Sequence, residues 1–231
     1  KAVRAGLDYL ARTQSPDGAW HNGSRGDGYP CAVSALAATA LLASGNTPTR
    51  GRYAAHVQAA VDYLVKCSTT TGLITSSSQD NGQPMHGHGF ALMFLALVYG
   101  MEPREAQRQK IKEAVEKGIL LTARGQSRAG GWSYTPASGD EGSVTVTQVQ
   151  ALRAASNGGF NVPRGTIEEA VRYLERCRTA EGGICYSLGS GGGPRPSISS
   201  AAVATLYNAG EYDAPIATDC LNYVWQVYLG R

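Results

Sequence analysis

The stretch "AVDYLVKCSTTTGLI" at residues 60–74 returns in closely similar form as "AVRYLERCRTAEGGI" at residues 170–184. Both copies carry alanine, valine, tyrosine, leucine and cysteine at equivalent places, and both reach a glycine and then an isoleucine. Self-similarity at a fixed period is typical of chains built from repeated supersecondary units. The repeat therefore predicts the fold class before any single residue is considered.

Related segments stand at a spacing of about 55 residues along the rest of the chain. They are "GLDYLARTQSPDGAW" at 6–20, "AVEKGILLTARGQSRAGGW" at 114–132 and the start of a fifth copy, "CLNYVWQVYLG", at 220–230. Each has the apolar spacing of an amphipathic helix and reaches a glycine. We expect one domain made of repeats at approximately 1–53, 54–107, 108–163 and 164–213, with a partial copy at 214–231.

A second kind of helix is predicted after each of these segments. The four sequences are "CAVSALAATALLAS" at 31–44, "HGFALMFLALVYG" at 88–100, "SVTVTQVQALRAAS" at 143–156 and "SISSAAVATLYNAG" at 197–210. They are nearly free of charge, so we expect them to be buried on most sides. Alternation of charged outer and uncharged inner helices predicts an all-α, incomplete (α/α) toroid or barrel of about four helical hairpins plus one terminal helix. A flat solenoid is the alternative.

Composition limits the classes of partner and the environment. The net charge of the 231 residues is +3, and no run of Lys or Arg suggests a nucleic-acid partner. No apolar run approaches the roughly 20 residues of a transmembrane helix. The compartment stays open, because the five cysteines form no dense disulfide framework, although Cys177 and Cys185 could pair across a turn.

Two motifs resemble those of a known superfamily. "QSPDGAW" at 14–20 and "GQSRAGGWSY" at 125–134 resemble the QW-type repeats of squalene and oxidosqualene cyclases, whose superfamily includes the β subunits of protein prenyltransferases. The stretch that begins "GGWSYTP" at 130 is similar to bacterial proteins with prenyltransferase/squalene-oxidase repeats. The resemblance implies a toroid with a small-molecule ligand, an isoprenoid or similar, in its centre. Toroids of the family have more hairpins than this chain, so we expect a homo-oligomer or a further segment to complete the ring.

In a toroid the inner helices run parallel, and their N-termini, with unpaired N–H groups, gather at one mouth. The expected ligand-binding residues there are Tyr29, Ser143, Thr145, Thr147, Gln148, Arg195, Ser197 and Ser199. The polar stripe Thr145, Thr147 and Gln148 either faces a water-filled cavity or forms hydrogen bonds between inner helices.

An acidic pair, Asp140 and Glu141, precedes the third inner helix. Both are candidate catalytic acids, with His86 and His88 as further candidates. The alternative is that the pair complements the helix dipole while Ser143 caps the helix.

The resemblance implies that a squalene-type cyclase keeps its acid in a DxDD motif at this place. Asp140 matches the first acid, but Gly142 and Ser143 stand where the last two acids belong. The chain also has only three Phe to stabilise carbocations. If the protein is an enzyme, a prenyltransferase-like activity is therefore favoured over a squalene-type cyclase.

The prenyltransferase resemblance also implies a zinc site made of Asp, Cys and His. Asp27, Cys31 and His88 are the corresponding candidates, although the spacing of Asp27 and Cys31 departs from that of the family. His86 and His88 would form a loop pair that binds zinc or, as an alternative, hydrogen-bonds to backbone beside a buried cysteine. Zinc or magnesium is thus the expected cofactor, if there is one.

Three functions remain open from the sequence. The first is a prenyltransferase- or terpene-cyclase-like protein that binds an isoprenoid or a similar ligand. The second is a non-catalytic binding or scaffold domain of a larger protein. The third is a carbohydrate-active toroid resembling a lyase. Trp20 and Trp132 are predicted to be structural residues of the repeats rather than platforms for stacking sugars.

Overall fold

The computed structural model describes residues 1–21, 28–76, 82–190, 192–228 and 230, with the side chain of residue 208 excluded. Within these residues all regular secondary structure is helical apart from three isolated bridges. The helices are α1 (Ala2–Thr13), α2 (Pro30–Ala43), α3 (Ala54–Lys66), α4 (Met85–Tyr99), α5 (Glu105–Arg124), α6 (Gly142–Asn157), α7 (Arg164–Arg176), α8 (Pro196–Ala209) and α9 (Pro215–Tyr228). None of the helices so described is long and apolar enough to cross a membrane. The predicted all-α class is confirmed.

Charge separates two kinds of helix. The even-numbered helices are called inner helices, and the odd-numbered ones outer helices. α2 and α4 contain no Asp, Glu, Lys or Arg and are buried along most of their length, as expected for helices that are apolar nearly all round. The outer helix α7 instead buries one stripe that includes Ala170, Tyr173 and Leu174 and exposes its charged side chains.

The inner helices begin close to where the repeat predicts. Their starts are spaced by 55, 57 and 54 residues. The largest difference is at α4, which begins at Met85 rather than at residue 88. His86 and His88 therefore lie in the first turn of a helix, and the expectation that they form a loop pair is wrong.

The chain divides into two compact units. Unit 1 comprises residues 1–121 and 154–161, and unit 2 comprises residues 122–153 and 162–231. In unit 1, α2 packs against α4, and α3 packs against both of them. In unit 2, α8 packs against α7 and α9 around a core that includes Tyr173, Leu174 and Leu206.

A glycine turn follows the outer helix in each of four repeats. Gly18, Gly72, Gly130 and Gly182 have φ values of +91°, +93°, +88° and +87°. A Cβ atom on three of them would lie within 2.4 Å of a carbonyl oxygen of the following outer helix; on Gly182 the nearest such oxygen, that of Asp219, would be 3.1 Å away. Only glycine accepts the left-handed backbone without strain, and only glycine leaves room for so close an approach.

The two Gln–Trp motifs fasten neighbouring outer helices in the same way. Gln14 Nε2 donates to the carbonyls of Gly18 and His56, each at 2.9 Å. Gln126 Nε2 donates to Gly130 at 2.8 Å and to Thr166 at 2.9 Å. The residue two places after the glycine is a buried tryptophan in both motifs, as predicted for structural tryptophans. Its indole N–H donates to a carbonyl of the preceding outer helix at 2.8 Å in each copy.

The turns are also joined to the inner helices. In every repeat the backbone N–H two residues after the turn glycine donates to one inner-helix side chain, a contact called here the inner-helix tie. The four ties are Trp20 to Ser34 at 2.8 Å, Ile74 to His88 at 3.1 Å, Trp132 to Thr145 at 3.0 Å and Ile184 to Ser199 at 2.8 Å. The same structural position is therefore filled by Ser, His, Thr and Ser.

Candidate functional site

Of the four side chains that accept an inner-helix tie, His88 is the one predicted as a candidate catalytic residue. It is completely buried, and its Nδ1 accepts the N–H of Ile74 at 3.1 Å. Burial lowers the pKa of His88 to about 4, an effect that its hydrogen bond with the Gly118 backbone only partly offsets. The ring is therefore neutral at pH 7, and because Nδ1 accepts, its proton lies on Nε2.

The candidate zinc ligands are only partly described by the structure. Cys31 is buried in the first turn of α2, against Gly87, whose added Cβ would lie 3.2 Å from that of Cys31. His86 and His88 point to different faces of α4, since residues two apart on a helix do not face each other. Asp27 lies outside the described residues. Among the residues that are described, no group of three His, Cys, Asp or Glu side chains is placed to hold a metal ion.

His86 instead begins a stripe that α4 leaves open. The partly exposed side chains of α4 at helical spacing are His86, Phe90, Met93 and Leu97, and Leu97 is 40% exposed. They lie on the side of the helix opposite His88, whose ring faces α5. The name α4 stripe is used for these four residues. Three of the four are apolar, and α4 carries no acidic residue, lysine or arginine.

The neighbouring helix α2 continues this character in unit 1. Leu36 is 46% exposed, and α2 is also free of charged residues. At the N-terminal ends of the two helices the Tyr29 hydroxyl donates to Gln83 Oε1 at 3.3 Å. The starts of α2 and α4 therefore lie side by side, as expected of parallel inner helices, with polar groups at that end and apolar side chains beyond it.

In unit 2, Glu141 caps α6. Its carboxylate accepts the N–H groups of Ser143 at 2.9 Å and Val144 at 2.8 Å, and the Ser143 hydroxyl at 2.7 Å. Glu141 is only 1% exposed. The expectation that Ser143 is the capping residue is wrong, because the helix begins one residue earlier, at Gly142, and places Glu141 before it. A carboxylate used in this way stabilises the helix N-terminus.

Asp140, in contrast, is held from outside its own helix. Its Oδ1 accepts the Tyr173 hydroxyl at 2.9 Å and the Leu188 N–H at 3.1 Å. Burial, together with contacts to Cys177 and Asp140, raises the pKa of Tyr173 far above its ordinary range, so this hydroxyl keeps its proton and donates. A hydrogen-bonded pair of hydroxyls, Tyr134 and Tyr186, stands in the same unit. Nothing in the local sequence marks Tyr173 as a partner of Asp140.

The structure also gives a physical reason for the missing acid of the cyclase-like motif. Gly142 packs against α8, and an added Cβ would lie 2.8 Å from Ile198 Cγ2. Its N–H donates to the Tyr186 carbonyl at 2.8 Å. A carboxylate at this position would therefore require Ile198 to move.

The expected ligand-binding residues fall into a buried group and an open group. Thr145, Gln148 and Ser199 are completely buried, and Thr147 is 5% exposed. Thr145 and Ser199 form inner-helix ties, and the Thr147 hydroxyl donates to Val144 of its own helix at 2.8 Å. The open members of the set are Tyr29, Ser143, Arg195 and Ser197. The polar stripe of α6 is thus buried, and Thr145 and Thr147 hydrogen-bond to the preceding turn and to α6 itself.

Comparisons with known proteins agree with this architecture. No family model matches the chain. The chain is 28% identical over 197 residues to drimenyl diphosphate synthase of Streptomyces showdoensis, an alignment that covers 85% of this chain and 34% of that protein. The chain thus spans about a third of the length of that curated relative.

Two solved structures are similar in fold. The type II terpene cyclase MstE from Scytonema, solved as a variant with its substrate geranylgeranyl dihydroxybenzoate, matches with a TM-score of 0.59 and 15% identity, over 99% of this chain and 62% of that one. A family 10 polysaccharide lyase from Cellvibrio cellulosa, solved as a variant with trigalacturonic acid, matches with a TM-score of 0.53 and 17% identity, over 80% of this chain and 75% of that one. The resemblance drawn from the Gln–Trp motifs is therefore confirmed: the chain is related in sequence to a drimenyl diphosphate synthase and has the all-α toroid fold of the terpenoid cyclase and protein prenyltransferase superfamily.

Proposed function

We propose that this protein binds an isoprenoid or a similar apolar chain with a polar head, and that the apolar part lies along the α4 stripe. The sequence similarity to drimenyl diphosphate synthase is the observation that carries the ligand class. The stripe supplies the physical basis, because it is an open apolar surface on a helix without charged residues.

The dimensions of the stripe suit such a chain. From His86 to Leu97 the helix rises about 16 Å, the length of several isoprene units. Removing each CH₂ group of the ligand from water contributes about 0.8 kcal/mol. Phe90 and Met93 suit different parts of such a ligand, since an aromatic ring attracts developing positive charge and a thioether adapts to irregular shapes.

The polar head would lie at the start of α2 and α4. No acidic side chain stands in the first turn of either helix, and α2 begins with proline. The positive end of the helix dipole favours an anionic group there. Tyr29, Gln83 and His86 add hydrogen-bonding side chains at the same end of unit 1. A ligand with an acidic head and an apolar tail therefore fits the two ends of this surface.

Binding is tested with geranylgeranyl diphosphate, inorganic diphosphate and trigalacturonic acid by isothermal titration calorimetry. We expect only the isoprenoid to bind tightly. Leu97→Ala should weaken it about tenfold, since the side chain loses contact with the chain. Leu120→Ala is the matched control, because Leu120 is a similarly exposed leucine, 50% against 40%, on an outer helix.

A second matched pair uses methionine. Met93→Ala should also weaken binding, whereas Met101→Ala, at a residue that is 42% exposed just after α4, should leave it unchanged. Equal effects of the paired variants, or tight binding of trigalacturonic acid alone, would overturn the proposal. Binding of the isoprenoid without conversion would leave the non-catalytic domain as the better description of the protein.

For catalysis, Asp140 is the first residue to test. Its Oδ1 accepts two hydrogen bonds, which would stabilise the carboxylate left after proton transfer to an alkene carbon. Glu141 and His88 are weaker candidates because capping and the inner-helix tie use their polar atoms. If the protein cyclises isoprenoids, Asp140→Asn should abolish product formation, measured by mass spectrometry of extracted lipids. Asp213→Asn, at an exposed turn, is the control.

A further inference from the structure

Two cysteines face each other across the turn that follows α7. Cys177 is the C-terminal cap of α7, and Arg178 and Ile184 form an antiparallel bridge. The Cys185 N–H donates to the Cys177 carbonyl at 2.9 Å, and the next pair inward, residues 179 and 183, is joined at 2.8 Å. In this register Cys177 lies directly opposite Cys185.

The register sets the distance between the two thiols. Opposite residues of a hydrogen-bonded antiparallel pair have Cα atoms about 5.5 Å apart. That separation is at the centre of the range that disulfides accept, about 5.5–6 Å. The side chains of such a pair lie on the same face, and Cys185 is among the neighbours that affect the Cys177 thiol. The Cys185 thiol itself donates to the Ser187 carbonyl at 3.4 Å. Both cysteines are thiols in this structure.

We propose that Cys177 and Cys185 form a reversible disulfide by exchange with a low-molecular-weight disulfide such as oxidised glutathione. The Cys185 thiolate attacks one glutathione sulfur and releases one glutathione. The Cys177 thiolate then attacks Cys185 Sγ and releases the second. Two protein thiols are oxidised and one glutathione disulfide is reduced, with both protons taken up by the departing thiolates.

The different exposure of the two sulfurs explains why Cys185 reacts first and Cys177 second. Cys185 is partly exposed, whereas Cys177 is 1% exposed. Burial raises the pKa of Cys177 to about 12. Because the thiolate is the attacking form, the second step should accelerate about tenfold for each unit of pH below that value. The buried disulfide would then resist external reductants better than an exposed one.

The segment fixed by this disulfide supports the candidate acid. The Tyr186 carbonyl accepts the N–H of Gly142 at the start of α6, and the Leu188 N–H donates to Asp140. Oxidation would tie this segment to the end of α7, which also carries Tyr173. An effect of oxidation on ligand binding rests on the proposed function, whereas formation of the disulfide does not.

The chain contains its own matched control. In unit 1 the turn after α3 has the same register, with a bridge between Ser68 and Ile74 and a hydrogen bond from the Thr75 N–H to the Cys67 carbonyl at 3.1 Å. Threonine stands there in place of the second cysteine. Cys185→Thr therefore reproduces the unit 1 turn, and Thr75→Cys reproduces the unit 2 turn.

The test equilibrates the full chain with glutathione buffers of stepped potential, quenches in acid and measures intact mass, and a second portion is alkylated before digestion. The wild type should lose the mass of two hydrogens without gaining glutathione, and dithiothreitol should restore it. Cleavage after Arg178 and Tyr186 should yield linked peptides that contain Cys177 and Cys185 but not Cys220. Cys185→Thr should show no loss, and Thr75→Cys should lose four hydrogens.

Two results would overturn the proposal. One is a wild-type protein that stays fully reduced at every potential in which glutathione itself is mainly oxidised, whatever the Thr75→Cys variant does. The other is a disulfide that links Cys185 to Cys220. Because mass reports the disulfide without any ligand, failure of isoprenoid binding would leave this result unaffected.

Discussion

The turn before α4 in unit 1 and the turn before α6 in unit 2 share a backbone but differ in the side chain that receives it. Gly72 and Gly130 have φ values of +93° and +88°, and each lies against a carbonyl of the next outer helix. The N–H that follows is accepted by His88 in one turn and by Thr145 in the other. A histidine in a repeat can thus fill a structural position for which its acid–base chemistry is irrelevant.

The open faces of the same two helices differ in polarity. α4 presents Phe90, Met93 and Leu97, whereas the partly exposed residues of α6 include Ser143 and Gln150. The backbone repeat is therefore conserved on the covered side of the inner helices, and the chemistry varies on the open side. Side chains in phase with the tie stabilise the fold, and those on the opposite face are the ones to test for ligand binding.

The glycine that both turns share should give the largest effect. Gly72→Ala combines a left-handed backbone with a Cβ 2.2 Å from the Lys117 carbonyl oxygen. We expect a loss of about 3–4 kcal/mol in the free energy of unfolding, measured in urea, from backbone strain and overpacking together. Gly45→Ala is the control, since its φ is +89° but a Cβ there has no neighbour within 4 Å.

The control should lose only the strain of the left-handed backbone, about 1–2 kcal/mol. Equal losses in the two variants would mean that the close approach to the outer helix contributes little. The turn glycine would then be required for its conformation alone.

The difference between the ties should appear in the pH dependence of stability. The folded pKa of His88 is lowered from 6.5 to about 4, so between these values the unfolded chain binds more protons than the folded protein. The stabilisation contributed by neutral His88 is therefore fully present above about pH 6.5 and is lost as the pH decreases to about 4. The loss attributable to His88 between pH 7 and pH 4 should be about 3 kcal/mol.

His88→Ser introduces the residue type found at the ties of α2 and α8. It should be less stable at pH 7, because it leaves a cavity. Its unfolding free energy should nevertheless depend on pH less steeply than that of the wild type over this window, by the same 3 kcal/mol. Parallel curves for the two proteins, from urea titrations at each pH, would show that His88 is not buried in its neutral form.

The sequence predicted the repeat, the helix classes and the structural tryptophans because these depend on periodic patterns of charge, glycine and apolar residues. It also predicted correctly that the acidic pair belongs to a helix start. Glu141 rather than Ser143 is the cap because α6 begins one residue earlier than its apolar pattern suggests. Boundaries of this kind depend on local hydrogen bonds that periodicity does not encode.

The candidate site was harder to predict because it depends on helical phase. Thr145 and Gln148 are polar residues of an inner helix and were expected at the mouth, yet both are buried. Aligning the four tie positions would have predicted which face of each inner helix is buried, and would have separated His86 from His88. The contact between Tyr173 and Asp140 could not have been predicted in this way, since it joins residues 33 apart in sequence through tertiary packing.

The smallest effect should come from the tie in unit 2, where the hydroxyl can be kept or removed. Thr145→Ala leaves the buried Trp132 N–H without an acceptor and should cost about 2 kcal/mol of unfolding free energy. Thr145→Ser keeps the hydroxyl and loses one methyl group, for about 1 kcal/mol. Serine already fills this position at Ser34 and Ser199, so the backbone accommodates it. If both variants lose the same amount in urea titrations, the methyl group rather than the hydrogen bond stabilises the turn, and the four ties would be equivalent in geometry but not in energy.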